Sequence, residues 1–287
     1  MNKQRILVLG ATGMAGHMVY YHLIKEQGYD VIPVSYRTKF TDDTLIVDVT
    51  DKKALKDLID DVRPNYVVNC VGVLIKGSAN NPANAIYINA FMPHYLKQLC
   101  EDVEATLIHI STDCVFSGKK GNYGESEFKD ADDTYGRSKA LGEIEDERHL
   151  TLRTSIIGPE LKDKGEGLFD WFMHQKGEIN GFTAAIWGGI TTLQLAKAIK
   201  QAIEHKLTGL LHVTNGAKIN KYDLLALFQK IWNLPHLKVN KVEGKKVDKS
   251  LQVSSVFDFA VPSYEDMLLE QKQWIDSNNS LYPNYNK

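Results

Sequence analysis

The sequence predicts an α/β protein built on a doubly wound parallel sheet, with a smaller, mainly helical carboxyl-terminal part. Three observations predict it. Short apolar runs alternate with amphipathic segments of helical period from residue 5 to residue 157, and that alternation builds a parallel sheet covered by helices. The run 65–70 is nearly continuous in apolar residues, as a strand buried on both faces requires. A chain of 287 residues, 43% of them hydrophobic, can also bury a full core, as one large domain or one large and one small.

Residues 5–9 flow into Gly10-Ala11-Thr12-Gly13-Met14-Ala15-Gly16 and then into an amphipathic segment through Glu26. The reading is strand, glycine-rich turn, helix. Gly10 allows the tight turn, Gly13 lets the backbone approach a pyrophosphate, and Gly16 lets the helix lie close on the strand, with Thr12 and Met14 in the same turn and phosphates at the helix amino end. The spacing is GxxGxxG and not GxGxxG, but it stands in the strand-turn-helix context that a Rossmann-like dinucleotide site needs.

Further units follow. Residues 30–35 read as a second strand, 45–49 as a third, and 51–62 as a helix capped by Thr50 or Asp51. A strand over 65–70 precedes a long helix from Asn81 to about Glu101, with Pro82 in its first turn. Residues 105–111 form the fifth strand and 150–157 the sixth. Between them, Thr134 is the expected cap of a helix running through Tyr135, Lys139 and Glu143. Beyond Pro159, residues 165–172 read as a loop entering an aromatic helix, either a pocket wall or core packing. A helix through Glu204 and a strand over 209–214 return to the sheet, and Asn220 and Ser263 cap helices to Trp232 and about Ile275. The lysine-rich stretch 238–250 is the expected flexible segment. Residues 1–160 with about 186–215 are thus assigned to dinucleotide binding, and about 161–185 with 216–287 to substrate binding.

The chemistry centres on Thr112, Tyr135 and Lys139. Positions i and i+4 share a helix face, so the Lys139 ammonium can sit beside the Tyr135 ring. A free tyrosine has a pKa of about 10, and an adjacent cation, reinforced by a positively charged nicotinamide, would pull it down toward a useful proton relay. Thr112, ending its strand, can bond the same substrate oxygen. YxxxK alone is a common accident on helices; here it stands beside the glycine turn.

Strand ends supply the other candidates. Ser35 and Arg37 follow the second strand where an acid would select NAD; an arginine there suits a 2'-phosphate and favours NADPH, with NADH left open. The competing reading makes Arg37 a surface charge. Asp48, with Val49 beside it, is placed to bond the adenine amino group or to cap a turn. Cys70, Val71 and Gly72 would lie along the ribose and nicotinamide.

Composition excludes other classes. A net charge of -2 gives no reason to expect nucleic acid, and Lys119-Lys120 and Lys245-Lys246 read as loop charges. Three scattered cysteines, without CxxC or HExxH, indicate neither a disulfide framework nor a metal site and fit a reducing cytoplasm. No apolar run reaches membrane-spanning length, and no signal peptide is expected.

Together the GxxGxxG turn, the STDxVF segment around Thr112, YGxSK at 135–139 and Arg153-Thr154-Ser155 resemble the extended short-chain dehydrogenase/reductase family, and within it the dTDP-4-dehydrorhamnose reductase branch. The resemblance is strong over the first 160 residues. It implies that Thr112, Tyr135 and Lys139 are the catalytic triad, that Tyr135 protonates a 4-keto oxygen as hydride arrives, and that Lys139 also bonds the nicotinamide ribose. The implied activity is NAD(P)H-dependent reduction of a nucleotide-linked 4-keto-6-deoxy sugar, for surface polysaccharide. Dehydratases of the family follow the threonine with Asp-Glu; Asp113-Cys114 lacks the glutamate, which excludes them. Cys114 opens an alternative, because epimerase-reductases that make GDP-fucose place a catalytic cysteine two positions after their serine; His174 would be its partner. Cys114 as a small half-buried residue is the competing reading. Ile156 replaces a tryptophan common in rhamnose-type reductases, which leaves the sugar and nucleoside open, UDP-linked 2-acetamido sugars included. A C4 epimerase and a non-catalytic dinucleotide-binding regulatory subunit remain as alternatives, as does a homodimer.

Overall fold

Alternate side chains of the first strand explain the layering. In β1 (Gln4–Leu9), Ile6 and Val8 enter one apolar cluster while Leu7 and Leu9 enter another on the opposite face. Successive side chains of a strand point to opposite faces, so an unbroken apolar run demands cover on both. The computed structural model of the chain, which describes residues 3–163 and 165–285, supplies that cover.

After β1 come α1 (Met14–Leu23), β2 (Tyr29–Ser35), β3 (Leu45–Ile46), α2 (Lys52–Val62) and β4 (Tyr66–Asn69). Helices α3 (Ile75–Asn80), α4 (Pro82–Ile86) and α5 (Met92–Asp102) lead to β5 (Thr106–Thr112), α6 (Thr134–Leu141) and β6 (Leu150–Thr154). Then follow β7 (Ile156–Ile157), α7 (Leu168–Met173), β8 (Glu178–Phe182), β9 (Ala185–Trp187), β10 (Ile190–Thr191), α8 (Thr192–Glu204) and β11 (Gly209–His212). The remainder is β12 (Ile219–Asn220), α9 (Lys221–Ile231), β13 (Lys238–Val242), β14 (Val247–Asp248) and α10 (Tyr264–Ser277).

Seven strands form the large sheet in the order β11-β6-β5-β4-β1-β2-β3, every pairing parallel. The order reverses between β1 and β4, which places the binding crevice outside their carboxyl ends. Helices α1 and α8 cover one face; α2 and α5 cover the other. The predicted α/β doubly wound sheet is thus the observed one. Among the described residues no helix is long and apolar enough to cross a membrane.

Several local expectations are corrected. β3 stops at Ile46, so Asp48 and Val49 lie beyond the strand. Of the two caps offered for α2, Asp51 is the one used, accepting from Lys53 and Ala54 N–H at 3.0 Å. Asp133, not Thr134, caps α6, accepting from Gly136 N–H at 2.8 Å. That helix ends at Leu141, before Glu143, where a methyl on Gly142 would overlap the Asn89 carbonyl oxygen. The long helix 82–101 is interrupted by a π-helical stretch, Tyr87–Phe91, just ahead of Pro93; a proline inside a helix removes one N–H donor and crowds the carbonyl four residues back. The strand 150–157 breaks at Ser155, whose carbonyl accepts from Ile190 N–H at 2.8 Å.

The carboxyl-terminal part is less helical than expected. Lys238–Val242, inside the stretch expected to be flexible, forms β13 and pairs in parallel with β8. Lys238 and Lys241 are exposed and three positions apart, so they fall on opposite faces of the strand and no period-2 alternation shows in the sequence. A second small sheet, β12-β9-β14, lies beside it.

Gly16 sits where α1 crosses the turn after β1, and any Cβ there would collide with the Gly10 carbonyl. Backbone on backbone cannot yield cheaply. Gly16→Ala is expected to cost about 1–3 kcal/mol of stability and to weaken dinucleotide binding, read as a lower Tm and a smaller Tm rise on adding NADPH. A variant as stable and as responsive as the parent would refute the close-approach role.

Candidate active site

The site is built where β1, β4 and β5 end. The turn after β1 gives Gly10 a φ of +78°, a left-handed conformation that glycine adopts without strain. α1 then begins at Met14, and Gly13 before it offers no side-chain cap, leaving first-turn N–H groups for an anion. Thr12, Gly13, Met14 and Ala15 face a cavity of about 730 Å³, joined by Cys70, Val71 and Gly72 after β4 and by Thr112, Cys114, Tyr135 and Lys139. Gly10 and Gly16 shape the turn from behind. The cavity, the uncapped helix and the glycine turn fit a dinucleotide.

Thr112, Tyr135 and Lys139 line one cavity, with electrostatics that differ from the expectation. The Thr112 hydroxyl accepts from Cys114 N–H at 3.1 Å and bonds Asp113 at 3.2 Å. Burial pushes Tyr135 well above its ordinary range, Cys114 and Asp113 adding to the rise while a hydrogen bond with Thr112 opposes it. The expected depression by Lys139 is not what this geometry produces. Lys139 turns its ammonium toward the Ile110 carbonyl at 2.8 Å and His109 Nε2 at 3.3 Å, and burial lowers it to about 8. Tyr135 therefore stands as a protonated phenol, the form that can donate.

Cys114 does not carry an activated thiol. Burial, with Asp113 beside it, pushes its pKa up to about 12 against the opposing Lys249 ammonium, whereas a thiol acting as base needs a lowered one. His174 hydrogen-bonds the Asp170 carbonyl at the end of α7 and does not line the cavity.

The residues chosen for the adenosine end lie outside the cavity lining. Ser35 spends its hydroxyl on the Thr38 carbonyl at 2.6 Å. Asp48 accepts from Thr50 N–H and Oγ1 at 2.9 and 2.7 Å, the turn-capping alternative, and Val49 packs on the α2 side of the sheet. Arg37 is exposed and lies over the Tyr36 ring at 4.3 Å.

Other residues that line or brace the cavity were not anticipated. Asn89, in the π-helical stretch, accepts from Val73 N–H at 2.8 Å, donates to Val73 O at 2.9 Å and to Ser138 Oγ at 3.1 Å, tying the loop after β4 to the catalytic helix. A proline four positions beyond an asparagine was the available signal. Glu160, Lys162 and Glu166 close one side of the cavity. Behind Thr112, Arg153 is wholly buried and bidentate to Glu143, at 2.8 and 2.7 Å, while Ser111 Oγ donates to the same carboxylate at 2.6 Å. Arg153 also contacts His212 Nε2 at 2.8 Å, and His212 Nδ1 contacts Gln252 O at 3.1 Å, so the pair ties β6 to β11 and to the segment that brings in Lys249.

The family model described as RmlD substrate binding domain matches residues 4–256. The chain belongs to that family. As an RmlD-family protein it is an NAD(P)H-dependent oxidoreductase of the extended short-chain dehydrogenase/reductase superfamily, as the motif resemblance implied. Among its relatives, a probable low-salt glycan biosynthesis reductase of Haloferax volcanii is 35% identical over 140 residues, 47% of this chain and 46% of that one. A dTDP-4-keto-6-deoxy-D-glucose reductase of Streptomyces niveus is 27% identical over 77% of this chain and 76% of its own. The methionine adenosyltransferase 2 subunit beta of Xenopus laevis is 25% identical over 85% and 77%. Among solved structures, a hypothetical dTDP-4-dehydrorhamnose reductase from Sulfolobus tokodaii superposes with a TM-score of 0.77 at 26% identity, over 91% of this RmlD-family chain and 98% of that one. The Bacillus anthracis dTDP-4-dehydrorhamnose reductase, in complex with NADP, gives 0.80 at 21% identity over 95% and 99%, a likeness of fold.

Proposed function

We propose that this protein reduces the keto group of a nucleotide-linked 4-keto-6-deoxy sugar with NADPH. The observation that carries the reading is the convergence of Thr112, Tyr135 and Lys139 with the uncapped amino end of α1 on one cavity. The dinucleotide, when bound, supplies hydride. The Thr112 hydroxyl and the Tyr135 phenol hold the substrate oxygen, and Tyr135 gives its proton to that oxygen as negative charge develops on it. Lys139 supplies positive charge behind the tyrosine. Thr12 to Ala15 bind phosphate through backbone N–H groups. The product would serve surface polysaccharide synthesis, and three free cysteines fit a cytoplasmic setting.

Arg37 has no carboxylate partner among the described residues and lies at the end of β2, where a 2'-phosphate would arrive. Arg37→Ala is expected to raise KM for NADPH about 10- to 100-fold, the worth of a hydrogen bond to a charged group, with KM for NADH unchanged. Equal effects on both cofactors would make Arg37 a surface charge.

A second reading, a dinucleotide-binding regulatory subunit, draws on the subunit-beta relatives. Absorbance of NADPH with a panel of dTDP-, UDP- and GDP-4-keto-6-deoxy sugars separates the two. Consumption with one member of the panel, lost in Tyr135→Phe, supports the reductase; binding without consumption on any member supports the subunit.

A further inference from the structure

Behind Lys139 lies a buried chain of hydrogen bonds whose polarity can be read outward from the backbone. Val71 N–H can only donate, and it donates to Asn69 Oδ1 at 3.1 Å. That fixes the amide, so Asn69 Nδ2, which can only donate, is the atom 3.0 Å from His109 Nδ1. Nδ1 must then be the unprotonated acceptor, and a neutral imidazole carries its hydrogen on Nε2. Nε2 faces Lys139 Nζ at 3.3 Å, a longer contact than the 2.8 Å from Nζ to the Ile110 carbonyl. An ammonium meets that N–H hydrogen to hydrogen, whereas an amine offers it a lone pair.

We propose that His109 is a positioning residue for Lys139: fixed by Asn69 with its hydrogen on Nε2, it donates to Lys139 in the amine form and so favours release of the ammonium proton into the cavity that Lys139 shares with Tyr135. The transfer balances. After Tyr135 has protonated the substrate oxygen, an N–H bond of the Lys139 ammonium breaks, its electron pair stays on Nζ, and solvent in the cavity that both residues line carries the proton to restore the O–H bond of Tyr135. The resulting amine accepts the hydrogen bond from His109 without further proton transfer, and solvent later returns the proton.

Asn69 and His109 are wholly buried and Lys139 nearly so. The other groups facing them are few. Cys70, from the loop after β4, and Glu143, beyond α6, act on Lys139, while His94 on α5 acts on His109. Burial and the Lys139 charge hold His109 far below its ordinary range, so it stays neutral and its tautomer persists. The role given to the released proton rests on the reductase reading above; the tautomer does not.

Two spectra test it. Long-range 1H–15N correlation of labelled protein, with His109 assigned by the signal missing from His109→Phe, is expected to show hydrogen on Nε2 throughout pH 6–9. Hydrogen on Nδ1, or an imidazolium at pH 7, would overturn the proposal. Titration of 13Cε-labelled lysine, with Lys139 assigned through Lys139→Arg, is expected to give a midpoint near the value of about 8 set by its surroundings. In His109→Phe the opposing N–H is gone and the midpoint should rise by about one pH unit, tenfold in acidity. Asn69→Asp, which accepts from Nδ1–H and so inverts the tautomer, should raise it as well. A midpoint that falls or stays in folded His109→Phe would overturn the assignment. Failure of the reductase reading would appear separately, as no NADPH consumption with both spectra as described.

Discussion

Tyr135→Phe is expected to lower turnover by about two to four orders of magnitude, the usual worth of a positioned acid, while NADPH binds as before. The phenol lines the cavity without shaping the glycine turn, so cofactor affinity measured by fluorescence titration should be unaffected. Because burial raises Tyr135 above its ordinary range, the acid is fully protonated at neutral pH and the rate should be level there. It should fall on the alkaline side, as Lys139 passes through its midpoint of about 8 and its positive charge is lost. A profile that rises through pH 8, or a phenylalanine variant with near-parental turnover, would remove Tyr135 from the acid role.

Arg153→Leu should have the largest effect on stability. It leaves the Glu143 carboxylate buried with only Ser111 and Lys129, the latter at 3.0 Å. Removing one partner of a buried ion pair costs about 3–5 kcal/mol. The sign of the pH dependence follows from Glu143. Although burial tends to raise its pKa, bonds from Arg153, Ser111 and Lys129 together hold it below the ordinary carboxylate range. Its contribution to stability is therefore fully present above the unfolded value of about 4.3 and is lost as pH falls through the lower folded value. The gap between parent and variant, measured by urea unfolding, should be wide at pH 7 and should narrow only below about pH 4, as the folded value is passed. A gap that is small at pH 7, or the same in both ranges, would show that the pair is not the tie between β5 and β6. Replacing both partners with Leu should recover part of the loss.

What could be read in advance was what local patterning dictates. The glycine turn, the continuous apolar strands and the helix carrying the i, i+4 pair follow from local patterning, and the structure forms them, although Lys139 turns to Ile110 and His109. Asp48 and Ser35 make hydrogen bonds within their own turns, for Asp48 the turn-capping alternative that the sequence offered, and how a loop spends its hydrogen bonds is not legible from spacing. Nothing in their spacing pairs Glu143 with Arg153; only the register of Ser111 with Arg153 across β5 and β6 sets the ion pair behind Thr112. Lys249 was hidden in a lysine-rich stretch, yet its ammonium bonds Cys114 and feels the charge of Asp113. The tautomer of His109 needs Asn69 beside it, and these residues meet only because β4 pairs with β5.

The position of β11 at the edge of the large sheet also bears on how the protein is made. β6 pairs with β11, His212 opposite Arg153, and α8 seals α1 against the same face. While the chain is being synthesised, everything through β6 has left the ribosome before either cover exists. The emerging amino-terminal half therefore carries an open strand edge and a bare apolar face, with Arg153 still lacking its contact to His212. A fragment ending near residue 160 would keep that edge for good. It should be recovered as an aggregating chain, whereas synthesis through His212 and its following segment closes the edge and completes the support behind Thr112.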